Sequence, residues 1–212
     1  MTSKAILFDL DGTLTDSGEG IMKSAVFALS HYGIPEPPED VLRTIVGPPL
    51  DSSFRRLGVP EDKITEAIQL YRSRYIPIGR FENHPYTGIR EMLEKLLEAG
   101  HVLYVATSKP EWLAKEVLEH FDLAKYFKMI CGASTDFSRN SKEAVIAYLL
   151  DECGAQEHAV MVGDTAYDVI GSKAHGIPCI GVSWGYGLVE DMEIAGAAAI
   201  AHTVDQLYGL LK

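Results

Sequence analysis

The most constraining stretch of this chain is where the apolar run Ala5-Ile6-Leu7-Phe8 passes directly into Asp9-Leu10-Asp11-Gly12-Thr13. An apolar run this short fits a buried strand. Neither aspartate can be buried without a partner, so the pair belongs at the mouth of a sheet or on a cation. Two carboxylates this close repel each other, and a hard divalent cation with oxygen ligands, such as Mg2+, is the usual means of keeping both ionised. One can then attack an electrophile while its neighbour moves protons, the division of labour that phosphoryl transfer at neutral pH needs. Taken alone, the two acids could serve as turn or helix-capping aspartates. Their position at a strand exit favours chemistry.

Similar apolar runs recur at Val102-Ala106, Met129-Cys131, Ala159-Val162, Cys179-Val182 and Ala198-Ala201. Their near-continuous hydrophobicity is that of parallel strands covered on both faces. Amphipathic helical patterns lie between them, such as Ile89, Met92, Leu93, Leu96 and Leu97, which stop at Gly100. Alternating strands and helices predict an α/β fold with a doubly wound, Rossmann-like, mostly parallel sheet.

The exception is residues 15–83, where four helical stripes appear and no convincing strand. They end at Gly33, Gly47, Gly58 and Pro77. An inserted four-helix unit is expected there, leaving 1–14 and 84–212 as the core domain. A chain of 212 residues suits one core domain with a sizeable insertion. Gly18, Gly20 and Gly79 are candidate hinges at its ends.

Two further strand exits and one helix start carry polar groups. Val102-Ala106 ends in Thr107-Ser108-Lys109-Pro110, where a hydroxyl and backbone N–H groups can cradle an anion and the proline suits a helix's first turn. Lys142 opens the helix marked by Val145, Ile146 and Leu149, a position where a lysine is usually solvated, and Lys109 is a rival cation. Val160-Met161-Val162-Gly163 leads into Asp164 and, four residues on, Asp168, a spacing that sets both acids on one face of a helix start. Four aspartates converging on one pocket require a cation.

FDLDGTL resembles the first motif of the haloacid dehalogenase-like (HAD) hydrolases, in the phosphatase form that carries both aspartates. The Thr107, Lys142 and Gly163-Asp164 segments resemble the later motifs, in the right order, and the helical insertion resembles the family's C1-type cap, which closes over small substrates. The resemblance implies a phosphatase in which Asp9 is the nucleophile that becomes an aspartyl-phosphate and Asp11 the general acid/base. It implies phosphate binding by Gly12, Thr107, Ser108 and Lys142. Mg2+ would be held by Asp9, Asp11 and Asp164, with Asp168 in its outer shell. Asp16-Ser17-Gly18 and Gly47-Pro48-Pro49-Leu50 look most like phosphoglycolate-phosphatase-type enzymes, whose relatives with the same pattern hydrolyse nucleotides or pyrophosphate. Sugar-phosphate mutases of the family carry a histidine where this chain has Ile21, which disfavours that activity. A phospho-aspartate receiver module is a further alternative, disfavoured by the inserted helices.

Composition narrows the partners. Thirty acidic residues against 19 basic ones give a formal charge of −11, which repels nucleic-acid polymers and anionic membranes. A small phosphorylated metabolite remains admissible, because a metal and local cations act at short range. The state is expected to be monomer or homodimer. Cys131, Cys153 and Cys179 form no C-x-x-C pair and read as reduced thiols of a cytoplasmic protein. No signal-peptide pattern is seen at the N-terminus. The histidines, His84 and His175 among them, show no zinc-binding spacing. Arg43, Arg55 and Arg56 are cap cations that could read a second substrate charge.

Overall fold

The computed structural model describes residues 3–136, 138–154 and 158–212. The chain starts with β1 (Ala5–Phe8) and a short β2 (Thr15–Asp16), followed by four helices: α1 (Gly18–His31), α2 (Glu39–Arg43), α3 (Leu50–Arg56) and α4 (Ile64–Tyr75). After a second short strand, β3 (His84–Pro85), helices and strands alternate. The order is α5 (Ile89–Glu98), β4 (Val102–Pro110), α6 (Glu111–His120), β5 (Met129–Ala133), α7 (Lys142–Cys153), β6 (Ala159–Gly163), α8 (Ala166–Lys173), β7 (Cys179–Val182), α9 (Val189–Ala195), β8 (Ala199–Ala201) and α10 (Val204–Leu211).

Six strands form one sheet in the order β5-β4-β1-β6-β7-β8, and each neighbouring pair runs parallel. The predicted doubly wound α/β fold is therefore the observed one. Alternation along β1 explains why its sequence is apolar throughout. Ile6 and Phe8 join a cluster with Leu93 and Leu96 of α5, Val117 and Leu118 of α6, and Leu207 of α10. Ala5 and Leu7 point the other way, into Val145 and Leu149 of α7, Val169 of α8 and Met192 of α9. Since β1 lies between β4 and β6, the winding direction reverses beside it, and the crevice at such a reversal is where ligands of open α/β sheets bind.

Contacts divide the chain into two compact units, Met1–Thr15 with Pro85–Lys212, and Asp16–His84. The second consists of the four helices, with α1 packed on α4 and α3 on α4. Phe54 of α3 meets Tyr71 of α4 edge-on at 6.3 Å, and Tyr71 stacks on Tyr75 at 5.2 Å. Gly20 and Gly79 are not free pivots. A Cβ on Gly20 would lie 2.6 Å from the carbonyl carbon of Gly79, so both are small because two backbones touch there. Gly18 lies in the first turn of α1 and is buried. Arg55 is engaged by Asp51 and Glu61, at 2.8 Å each, and Arg56 donates to the Thr44 carbonyl. These bonds account for both guanidiniums without a substrate.

Among the described residues no helix is long and apolar enough to cross a membrane. The three cysteines are free thiols; Cys131 and Cys179 are buried.

Candidate active site

Strand ends β1, β4 and β6, with the N-terminus of α7, bring the polar groups together. Asp9 follows β1 directly, and its N–H donates to the carbonyl of Val162 on β6 at 2.9 Å. The Asp9 carboxylate pairs with Lys142 Nζ at 2.8 Å. That ammonium also meets Asp168 at 2.7 Å and donates to the Ala106 carbonyl at 3.0 Å. Lys142 is almost fully buried. Burial alone would lower its pKa, but the charges of Asp168 and Asp9 outweigh burial and raise it.

Asp9, Asp164 and Asp168 each offer a carboxylate oxygen, all within 4.8 Å of one another. Asp164 is held by two donors: the Tyr186 N–H at 2.8 Å and the Thr13 hydroxyl at 3.3 Å. Asp168 is fully buried, and its second oxygen accepts from the N–H and hydroxyl of Thr165, at 3.0 and 2.8 Å, at the start of α8. Its bonds to Thr165 and Lys142 tie the acid to the chain, which leaves Asp9 and Asp164 as the better placed metal ligands.

Burial pushes the Asp9 carboxyl up to about 6, with the Asp168 charge adding to the rise and Lys142 opposing it. Burial also raises Asp164 well above the ordinary carboxylate range, helped by Asp168 and Asp9. Both shifts come first from burial and then from the neighbouring acids. Lys142 and Lys109 face the four acids Asp9, Asp11, Asp164 and Asp168, leaving two negative charges unbalanced. An oxygen-only, doubly negative donor set suits a hard divalent cation such as Mg2+.

Two expected site residues, Asp11 and Gly12, and the expected helix-start proline Pro110 are placed as follows. The Asp11 side chain is outside the carboxylate cluster; both its oxygens accept from Lys109 Nζ, at 2.7 and 2.6 Å, and that lysine side chain is 4% exposed. A metal bond from the Asp11 carboxylate would have to replace this pair. Gly12 spends its N–H on the Thr15 carbonyl at 2.8 Å, so in this arrangement it offers no phosphate donor. Its φ is +79°, and a Cβ there would overlap the Asp164 carboxylate, 2.6 Å from its Cγ. Gly12 is small so that Asp164 can approach. Pro110 precedes α6 in extended conformation, one residue earlier than a first-turn proline.

Thr107 is buried, its hydroxyl oxygen accepting from the Lys109 N–H at 3.3 Å, while Ser108 is exposed at the same strand end. The pairing of β4 with β5 becomes irregular between Ala106 and Pro110, which turns Thr107, Ser108 and Lys109 out of the regular ladder. The Gly185-Tyr186-Gly187 turn after β7 was missed in the sequence. Its signal is a tyrosine between two glycines shortly after an apolar strand.

This arrangement has known counterparts. A family model described as haloacid dehalogenase-like hydrolase matches residues 6–182. The chain belongs to that family. It is 46% identical over 189 residues to a 5'-nucleotidase of Pseudomonas aeruginosa, covering 88% of this chain and 86% of that protein. It is 43% identical over 205 residues to the tyrosine-protein kinase PtkA of Mycobacterium tuberculosis, covering 95% of this chain and 70% of that one. The crystal structure of a predicted phosphatase from Clostridium acetobutylicum superposes with a TM-score of 0.94 at 42% identity, over 100% of this chain and 99% of that one. As a HAD hydrolase, the chain carries every acid of the phosphatase pattern read from its sequence.

Proposed function

We propose that this HAD hydrolase is a Mg2+-dependent phosphatase of small phosphomonoesters, acting through an aspartyl-phosphate on Asp9. The observation that carries this reading is the buried Asp9 carboxylate, paired with Lys142, beside Asp164 at a strand exit. Asp9 and Asp164 would hold the cation, and Asp168 would fix Lys142 and the start of α8. When bound, Mg2+ neutralises carboxylate charge and draws electron density from a phosphoryl oxygen.

In the first half-reaction an Asp9 oxygen forms a bond to phosphorus as the ester oxygen leaves, and Asp11 serves as the acid that passes a proton to the departing alkoxide. In the second, water attacks the acyl phosphate and gives its proton to Asp11, which restores the Asp9 carboxylate and frees inorganic phosphate. Lys142 and the Thr107 hydroxyl stabilise negative charge on the phosphoryl oxygens, and the exposed Ser108 extends that cradle. Lys109 holds Asp11 while no substrate is present and exchanges that bond for a phosphoryl oxygen when the ester arrives. Selection among esters is assigned to the inserted helical unit.

Phosphoglycolate and nucleoside monophosphates are the two substrate classes to test first. The former follows from the Gly47-Pro48-Pro49-Leu50 pattern, the latter from the likeness to a 5'-nucleotidase. The experiment is a phosphate-release screen over these esters, sugar phosphates, phosphotyrosine and pyrophosphate, with Mg2+ and with EDTA. Release that needs Mg2+ and is lost in a folded Asp9→Asn variant is the expected result. Phosphoryl transfer to protein tyrosine with no phosphate release, in keeping with the name of the PtkA relative, would overturn the reading, as would an active Asp9→Asn.

A further inference from the structure

Just outside the acid cluster, a second charged pair ties together the two segments that carry the phosphate-binding candidates. Glu111 is the first residue of α6, one position past the irregular end of β4; Arg139 precedes α7 and is three residues before Lys142. Arg139 Nη2 meets Glu111 Oε2 at 2.7 Å, with side chains 18% and 25% exposed. Arg139 Nε donates to the Gly132 carbonyl at 3.0 Å, and the Gly132 N–H reaches the same Glu111 oxygen at 3.4 Å. The guanidinium lies 3.8 Å from the centre of the Tyr148 ring on α7. One side chain thus bonds the end of β5, the start of α6 and the body of α7.

The backbone explains why a brace is needed. A Cβ on Gly132 would come 2.7 Å from Glu111 Cα, so the end of β5 presses directly on the residues after Lys109. There the ladder between β4 and β5 is broken, and regular strand hydrogen bonds do not fix Thr107, Ser108 and Lys109. Lys142 meets the same stretch from the other side through the Ala106 carbonyl.

We propose that Glu111 and Arg139 are positioning residues: their ion pair sets the Thr107–Lys109 turn and the approach of Lys142, and so controls phosphoryl binding without touching substrate. This inference rests on the phosphatase reading above. A half-buried, forked arginine stacked on an aromatic ring suits that task better than a flexible lysine. The proposed metal ligands Asp9 and Asp164 follow β1 and β6, outside the braced segments, and are reached only through the contact of Lys142 with Asp9, so metal affinity should change less than phosphate binding does.

The test uses the full chain and the variants Arg139→Met, Arg139→Lys, Glu111→Gln and the double variant Glu111→Gln/Arg139→Met. The readouts are kcat and KM for p-nitrophenyl phosphate, inhibition by inorganic phosphate, Mg2+ affinity by calorimetry and melting temperature. Each single variant should lower kcat and weaken phosphate inhibition by about tenfold or more, as misplacing catalytic groups does. Mg2+ affinity should change by clearly less than phosphate inhibition does. The double variant should be no worse than the worse single, because both remove one interaction. Arg139→Lys, which keeps the charge and loses the fork, should fall between wild type and Arg139→Met.

The proposal is overturned if melting falls while kcat and phosphate inhibition hold, if the single effects multiply, or if Mg2+ affinity falls in parallel. An active Asp9→Asn control would sink the nucleophile assignment and leave the dependence of phosphate inhibition on the pair as a separate result.

Discussion

Gly12→Ala is the sharpest probe of how the first strand exit meets the Asp164 carboxylate. The backbone at this position has φ +79°, a left-handed conformation that costs an alanine about 1–2 kcal/mol. The added methyl must also displace the Asp164 carboxylate, whose Cγ would be 2.6 Å away. That acid is pinned by the Tyr186 N–H and the Thr13 hydroxyl, so moving it costs about 1–3 kcal/mol more, as overpacked interiors do. The sum, about 2–5 kcal/mol, lowers the melting temperature of a chain this size by roughly 5–15 °C. On the proposed role of Asp164 as a metal ligand, displacing it should also weaken Mg2+ binding by about 10–100-fold, comparable to the loss of an outer-shell partner. Gly100→Ala supplies the control, since Gly100 has φ +85° but nothing within 4 Å of a Cβ. It should lose only the conformational part and keep wild-type Mg2+ affinity. Scanning calorimetry with and without Mg2+, together with titration calorimetry, measures both quantities. If the two variants melt alike and bind Mg2+ alike, the approach of Asp164 to Gly12 is not what the geometry says it is.

The site also predicts a pH effect on the metal-free protein. Asp9 has its pKa raised from 3.8 to about 6 in the fold, so its contribution to stability is present below the unfolded value and is lost as pH rises through about 6. Between about pH 5 and about pH 7.5 that is on the order of 1 kcal/mol, or roughly 2–4 °C. Asp164, also raised, acts in the same sense. In EDTA the melting temperature should therefore fall across this range; Mg2+ should reduce the fall, and Asp9→Asn should shrink it. A flat or rising curve in EDTA contradicts the charge imbalance. Lys142→Met removes the cation from between Asp9 and Asp168 and should cost about 3–5 kcal/mol in urea denaturation at neutral pH. The loss should be smaller near pH 5, where Asp9 takes up a proton; an unchanged midpoint would show that Lys142 does not compensate these acids.

The parallel sheet was legible because burial on both faces leaves the sequence no choice of pattern. β1 reads as four apolar residues since Ile6 and Phe8 fill one cluster and Ala5 and Leu7 the other. The helical stripes of α1 and α4 were legible for the complementary reason: each buries one face against the other. What escaped were contacts decided by backbone detail. The partner of Asp11 depends on where the irregular end of β4 sends Lys109, and no periodicity reports a register break. Gly20 and Gly79 look like hinges because glycine is the residue of both loose and tightly apposed backbone, and sequence does not distinguish the two.

The acid cluster follows a different logic from the rest of the core. Asp9, Asp164 and Asp168 are almost wholly buried, and two carboxylate pKa values are raised; a core selected for stability alone would place apolar side chains there. The neighbours are arranged to hold these charges without cancelling them. Lys142 is shared between two acids, Lys109 is kept on Asp11, and Asp164 receives neutral donors from Tyr186 and Thr13. Neutral N–H and O–H groups orient a carboxylate while leaving its charge in place, whereas a third lysine in their stead would have stabilised the metal-free fold and removed the attraction for a cation. The deficit of positive charge is thus the property through which this fold would recruit a divalent ion, and its cost is spread over the two apolar clusters on either side of the sheet.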